Sequence, residues 1–128
     1  MEMAVSKLII AGLVAVILIG GVLLFASAAP GQYDSFAQCL TKNNAVMYGA
    51  YWCSHCANQK KDFGNSFKYV NYVECDAGGV NAKVALCRER GITSYPTWEI
   101  GGKMYTGEQN LATLSALTSC PLTSSTAK

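Results

Sequence analysis

Two cysteines separated by two residues, Cys53 and Cys56, lie between a stretch that predicts a strand and a stretch that predicts a helix. Residues 45–50 form a short apolar run, which favours a buried strand, and residues 57–67 favour a helix. A Cys-x-x-Cys pair in this setting is typical of a redox-active dithiol. The sequence therefore predicts an α/β fold organised around this pair.

The order of the pair predicts a role for each cysteine. Cys53 is expected at the helix N-terminus, where unpaired backbone N–H groups and the helix dipole stabilise an anion. Because the thiolate is the nucleophile in thiol–disulfide exchange, Cys53 is predicted to attack first. Cys56, one turn later, would attack the mixed disulfide and release the substrate. His55 would stabilise the Cys53 thiolate by charge or by a hydrogen bond, and the alternative is a histidine that only faces solvent.

A metal site is the main alternative for the same motif. A structural zinc site needs a second pair of ligands at short spacing, but the other cysteines are isolated and His55 is the only histidine. A metal-binding or interaction domain would have to use Cys53, Cys56 and His55 as soft ligands. We predict no metal.

Two motifs together resemble the thioredoxin fold, namely residues 51–56 and residues 93–98. Residues 47–61 resemble the thioredoxin-like domain that is fused to, or encoded beside, bacterial and plant homologues of vitamin K epoxide reductase. The resemblance covers about residues 33–120. It implies an α/β, thioredoxin-like fold, with a four-stranded mixed sheet and helices on both faces.

The resemblance also implies site residues and partners. Tyr95 and Pro96 would form a cis-proline loop that faces the cysteine pair, and with Trp52 they would bind the substrate chain. No cofactor is implied. A quinone-linked membrane oxidoreductase resembling vitamin K epoxide reductase would reoxidise the pair. Thioredoxins carry a buried carboxylate that moves the proton of the second cysteine, but here its position holds Met47.

The N-terminal segment predicts a membrane anchor. Residues 8–25 are uncharged and, at about 1.5 Å per residue, would span roughly 27 Å as a helix. Lys7 before the run favours a cytoplasmic N-terminus and an exported domain. The small residues at 26–28 leave a cleaved signal peptide as the alternative. We expect a transmembrane signal anchor at 8–28, after a cytoplasmic terminus at 1–7.

The remaining boundaries follow from composition and pattern. We expect a linker at 29–32, the thioredoxin-like domain at 33–120 and a flexible tail at 121–128. Within the domain, a strand at 69–75, a helix at 81–90, a hairpin at 97–106 and a helix at 109–119 are predicted. The net charge of +2 gives no indication of nucleic-acid binding.

Six cysteines in 128 residues indicate an oxidising compartment such as the periplasm, a lumen or the cell exterior. We predict two structural disulfides, Cys75–Cys87 and Cys39–Cys120. The alternatives are reduced, buried cysteines, or a relay in which Cys75–Cys87 passes electrons to the membrane partner.

Together these features predict a membrane-anchored thiol–disulfide oxidoreductase that donates disulfides to exported proteins. A reductase or isomerase of exported proteins is the enzymatic alternative.

Overall fold

The computed structural model describes residues 29–124. Four α-helices, four strands and one 3₁₀ helix follow one another in this part of the chain. In chain order they are α1 (Asp34–Lys42), β1 (Val46–Gly49), α2 (Ser54–Phe63), the 3₁₀ helix (Gly64–Tyr69), β2 (Asn71–Glu74), α3 (Val84–Glu89), β3 (Thr97–Ile100), β4 (Lys103–Thr106) and α4 (Leu111–Thr118).

The strands form one mixed sheet in the order β2-β1-β3-β4. β1 pairs in parallel with β2, so that Met47 lies beside Tyr72 and Gly49 beside Glu74. β1 pairs antiparallel with β3, and β3 pairs antiparallel with β4. The predicted four-stranded mixed sheet is therefore confirmed, and its arrangement is consistent with a thioredoxin-like fold.

Helices cover both faces of the sheet. Met47 and Trp98 are neighbours on one face, and the main core there includes residues from α1, α2 and α4. Tyr48 and Val73 point to the other face, because successive strand residues alternate, and they pack with Cys87 of α3. The larger core gathers its aromatic side chains around Phe63, which contacts the rings of Phe36, Phe67 and Trp98.

Three of the element boundaries that differ from the prediction have a cause in the backbone. The helix after the cysteine pair ends at Phe63 rather than Phe67, because Gly64 adopts a positive φ of 54° and a 3₁₀ turn follows. That turn delays β2 until Asn71. α3 begins at Val84 instead of Asn81, since Asn81 itself adopts a left-handed φ of 54° and cannot start a helix there.

Two disulfides join distant parts of the fold, and they link the same cysteines that were paired in the sequence analysis. Cys39 of α1 is bonded to Cys120 after α4, with Cα atoms 5.8 Å apart. Cys75 after β2 is bonded to Cys87 of α3, with Cα atoms 5.7 Å apart. Cys75 and Cys87 are 5% and 4% exposed, which places this disulfide inside the core rather than on the surface.

The predicted cytoplasmic terminus, the membrane anchor and the last four residues of the predicted tail lie outside the described residues. Across residues 29–124, none of the helices has the length and apolar character needed to cross a membrane.

Candidate dithiol site at the start of α2

Cys53 caps the N-terminus of α2, as its place in the motif predicted. Its backbone is extended, and its sulfur accepts a hydrogen bond of 3.2 Å from the backbone N–H of Cys56. On the other side, the Cys53 thiol points at the carbonyl oxygen of Tyr95, 3.6 Å away. The N-terminal turn of a helix directs N–H groups and partial positive charge at such a sulfur, so the position suits a thiolate.

The two cysteines are both free but differ in access to solvent. Cys53 is 6% exposed and lines a surface cleft, whereas Cys56 has no exposed surface. Burial is the main reason that the pKa of Cys56 is raised to about 12, and the neighbouring Cys53 raises it further. A substrate can therefore reach Cys53, while Cys56 remains a protonated thiol at neutral pH and must lose its proton to act.

The cleft beside Cys53 has a volume of about 360 Å³ and runs between the start of α2 and the loop before β3. The Tyr95–Pro96 peptide bond in that loop is cis. Of the predicted substrate contacts, Trp52 and Tyr95 line the cleft, with ring centroids 6.1 Å apart. Pro96 is fully buried and is not among the residues that line it.

Two exposed aromatic residues precede the pair. Tyr51 and Trp52 expose 61% and 60% of their surface. The turn after β2 holds both of them: the Trp52 indole N–H donates to Asp76, and Gly78 lies against the Tyr51 hydroxyl. The hydrogen bond from Trp52, followed by one from the backbone N–H of Gly78, lowers the pKa of Asp76. The sequence offered no signal for this support, because the turn lies more than twenty positions away.

His55 makes no hydrogen bond to the Cys53 sulfur. Its Nδ1 lies 2.6 Å from a carboxylate oxygen of Glu108, which also accepts a hydrogen bond from Asn58. These two contacts lower the pKa of Glu108. His55 thus lines the cleft beside Cys53 while its ring contacts a carboxylate on the loop between β4 and α4, a partner that the sequence did not indicate.

A tyrosine and a carboxylate lie behind Cys56, and sequence reasoning missed these as well. Tyr72 and Glu74 sit on β2, next to β1, and the Tyr72 hydroxyl donates a 2.8 Å hydrogen bond to Glu74. The spacing of these two residues, alternate positions on one strand, was the available signal. Within residues 29–124, no three His, Cys, Asp or Glu side chains converge as a metal site would require.

Two curated proteins resemble this chain over the region that contains the site. The chain is 41% identical over 88 residues to the thiol-disulfide oxidoreductase LTO1 of Arabidopsis thaliana, which covers 66% of the chain and 23% of that protein. It is 30% identical over 83 residues to protein disulfide-isomerase 1 of Dictyostelium discoideum, which covers 59% of the chain and 22% of that protein. The chain thus spans less than a quarter of either relative. No family model matches the chain.

The similarities agree with the geometry on the type of chemistry. Both relatives are named for reactions of thiols and disulfides, and the described residues include six cysteines in two disulfides and one free pair. With the mixed sheet, they support a thioredoxin-like oxidoreductase.

Proposed function

We propose that this protein is a thiol–disulfide oxidoreductase in which Cys53 and Cys56 are the exchanging pair. The observation that carries the proposal is the contrast between the cysteines. Cys53 and Cys56 are free at the start of α2, and Cys53 lines the cleft, whereas the other four are bonded in two disulfides. The similarity to proteins named for disulfide chemistry supports the same reading.

As a disulfide donor, the oxidised pair passes its disulfide to a substrate dithiol. A substrate thiolate attacks Cys53 Sγ, the Cys53–Cys56 bond breaks, and Cys56 leaves with the electron pair and takes up a proton. The second substrate thiolate then attacks the substrate sulfur of the mixed disulfide and expels Cys53 as a thiolate. The substrate loses two electrons and two protons. The cysteine pair gains the two electrons and one proton, on Cys56, and the second proton goes to solvent.

The donor direction is supported by the surroundings of Cys53. The helix N-terminus and the N–H of Cys56 stabilise the Cys53 thiolate, and a stabilised reduced form makes a disulfide a stronger oxidant. A protonated His55 would also stabilise the Cys53 thiolate, and its contact with Glu108 reduces that effect.

The proposed substrates are exported proteins with exposed thiols. The exposed Tyr51 and Trp52 and the adjoining cleft offer aromatic surface for an unfolded peptide. We further propose that residues 8–28 anchor the domain on the outer side of a membrane, where a quinone-linked oxidoreductase resembling vitamin K epoxide reductase reoxidises it. The apolar run at the N-terminus and the heavy use of cysteine support this location.

A reductase or isomerase of exported proteins is the second candidate, and one relative is named a protein disulfide-isomerase. An isomerase would work from the dithiol form, with Cys53 attacking a wrong disulfide. The redox potential separates the candidates, because a donor must be more oxidising than the dithiols that it oxidises.

The test uses the full chain in detergent, with Cys53→Ser as the inactive variant and Ser54→Ala as the matched control. The equilibrium of the pair with glutathione gives the potential, and oxidation of a reduced dithiol peptide, reduction of insulin and refolding of a scrambled protein give the direction. Metal analysis of the same sample tests the non-enzymatic alternative. A wild-type protein without exchange in all three assays would refute the proposal.

A further inference from the structure

Glu74 is a buried carboxylate for which the exchange reaction has so far given no role. It is 6% exposed, and among residues 29–124 no cation forms an ion pair with it. Its two oxygens accept hydrogen bonds from the Tyr72 hydroxyl at 2.8 Å and from the backbone N–H of Asp76 at 2.9 Å. Burial of a carboxylate without a counter-ion costs free energy, so a role for Glu74 at this position is worth examining.

The sheet register places this carboxylate on the same face as the buried cysteine. In the parallel pairing of β1 with β2, Met47 is beside Tyr72 and Gly49 is beside Glu74, and partners in register point to the same side. The Glu74 carboxylate therefore lies near the position of Met47, on the neighbouring strand and two residues further along it. Tyr72 is the residue paired with Met47, on the same strand as Glu74.

Gly49 lets Tyr72 and Cys56 approach the same point. A methyl group on Gly49 would lie 3.0 Å from Cys56 Sγ and 3.1 Å from the Tyr72 hydroxyl oxygen, so only a glycine leaves the space between them open. Lys60 of α2 completes the cluster with its ammonium 3.8 Å from the centre of the Tyr72 ring. The cysteine, the hydroxyl and the carboxylate are thus arranged in series.

We propose that Tyr72 and Glu74 form the proton relay for Cys56, an inference that rests on the proposed function. When Cys56 resolves a mixed disulfide, its thiol proton passes to Tyr72 Oη through one water molecule, as the Tyr72 proton passes to Glu74. The Cys56 thiolate attacks Cys53 Sγ, and the bond from Cys53 to the substrate sulfur breaks, releasing the substrate as a thiolate. In the donor direction the proton returns by the same path to the departing Cys56.

The state of each group suits this path. Cys56 is inaccessible to solvent, with its pKa raised to about 12, so bulk water is a poor acceptor for its proton. Burial, and then the hydrogen bond to Glu74, raise the pKa of Tyr72 well above its ordinary value, so the hydroxyl gives its proton to Glu74 only as it receives one from Cys56. The other titratable groups around this cluster are Cys53, Lys60, Asp76 and Tyr95.

The test follows the attack of Cys56 by itself. When the reduced full chain in detergent reacts with one equivalent of 5,5′-dithiobis(2-nitrobenzoate), Cys53 releases a first nitrothiobenzoate and Cys56 then releases a second. We expect Tyr72→Phe and Glu74→Gln to slow the second phase at least tenfold at neutral pH and to leave the first phase unchanged. The loss should shrink as the pH rises, because hydroxide replaces the relay.

The opposite face of the sheet provides a matched control. Tyr48 donates a 2.7 Å hydrogen bond to Glu99 there, so Tyr48→Phe and Glu99→Gln break an equivalent pair away from Cys56. Second-phase rates in the Tyr72 and Glu74 variants that equal wild type, or that fall equally at every pH, would overturn the relay. Because groups in series act as one unit, we expect the second phase of the Tyr72→Phe/Glu74→Gln double variant to be no slower than that of either single variant. A wild-type protein without a second phase would overturn the proposed function, and the relay with it.

Discussion

Trp52 Nε1 lies 2.9 Å from Asp76 Oδ2, which joins the residue before Cys53 to the turn after Cys75. The same turn is fastened to α3 by the Cys75–Cys87 disulfide. The aromatic edge of the cleft is therefore positioned from β2 and α3, and not only from the helix that carries the cysteine pair.

The hydrogen bond between Trp52 and Asp76 should weaken at acidic pH. The hydrogen bond from Trp52 lowers the pKa of Asp76 below its ordinary value of 3.8. The stability that this hydrogen bond contributes is therefore fully present above pH 3.8 and is lost as the pH falls through the lowered pKa. We expect the NMR signal of the Trp52 indole N–H to shift with a midpoint below 3.8. The Trp98 indole, bonded to Gln59, is the internal control. A midpoint above 3.8 would contradict the assignment.

The two cysteines of the pair should give opposite results when each is replaced. Cys53→Ser is expected to abolish exchange, because it removes the sulfur that lines the cleft. Cys56→Ser should accumulate a mixed disulfide between Cys53 and a substrate peptide, because the buried resolving thiol is gone. Mass spectrometry of the intact adduct checks both. Accumulation in Cys53→Ser instead would reverse the roles.

His55 and Glu108 should shift the redox potential in opposite directions. His55→Ala removes positive charge near Cys53 and should make the disulfide less oxidising, whereas Glu108→Gln frees the histidine and should make it more oxidising. About 30 mV corresponds to a tenfold change in the equilibrium constant of a two-electron couple. The His55 side chain is 70% exposed and solvent screens its charge, so we expect both variants to shift the redox potential by less than this amount.

Equilibration with glutathione measures these potentials, and Asp62→Asn at the far end of α2 is the control for a charge change on the same helix. Shifts of equal sign in the His55 and Glu108 variants would remove the pair from the tuning of the cysteines.

The two disulfides should differ in their effect on stability. The Cys39–Cys120 bond closes a sequence separation of 81 residues and Cys75–Cys87 one of 12, for which the chain-entropy model gives about 4.5 and about 3 kcal/mol. We expect Cys39→Ala/Cys120→Ala to lower the free energy of unfolding more than Cys75→Ala/Cys87→Ala in denaturant titrations. The reverse order would show that burial rather than loop length dominates.

The exchange activity of the same variants tests the electron relay suggested for Cys75–Cys87. Because both cysteines are almost fully buried, we expect Cys75→Ala/Cys87→Ala to keep its turnover with the proposed quinone-linked partner wherever the variant remains folded. Lost turnover with unchanged stability would favour the relay.

The sequence predicted the fold best where a single residue type determines the backbone conformation. The hairpin of β3 and β4 turns at Gly101 and Gly102, both with positive φ, as the Gly-Gly pair indicates. The start of α3 was predicted wrongly because a tertiary contact overrides the local signal. The Lys83 N–H is bonded to the Glu74 carbonyl at 2.7 Å, and Lys83 instead of Asn81 immediately precedes the helix.

The candidate site shows a similar division. The motif identified Cys53 and Cys56, since spacing along the chain is visible in a sequence. The partners of His55 and Trp52, Glu108 and Asp76, lie on other loops, and only folding brings them together. Tyr72 and Glu74 became meaningful once the strand register placed them beside Met47 and Gly49.

The bond between Cys39 and Cys120 makes residues 39–120 a covalently closed ring that contains the whole sheet and the cysteine pair. A protease that cuts this ring once, for example in the exposed turn at Gly101 and Gly102, would leave one covalent molecule on a non-reducing gel. Two fragments would separate only after reduction. For a protein that works among thiols and disulfides, resistance to fragmentation therefore depends on the redox state of its surroundings.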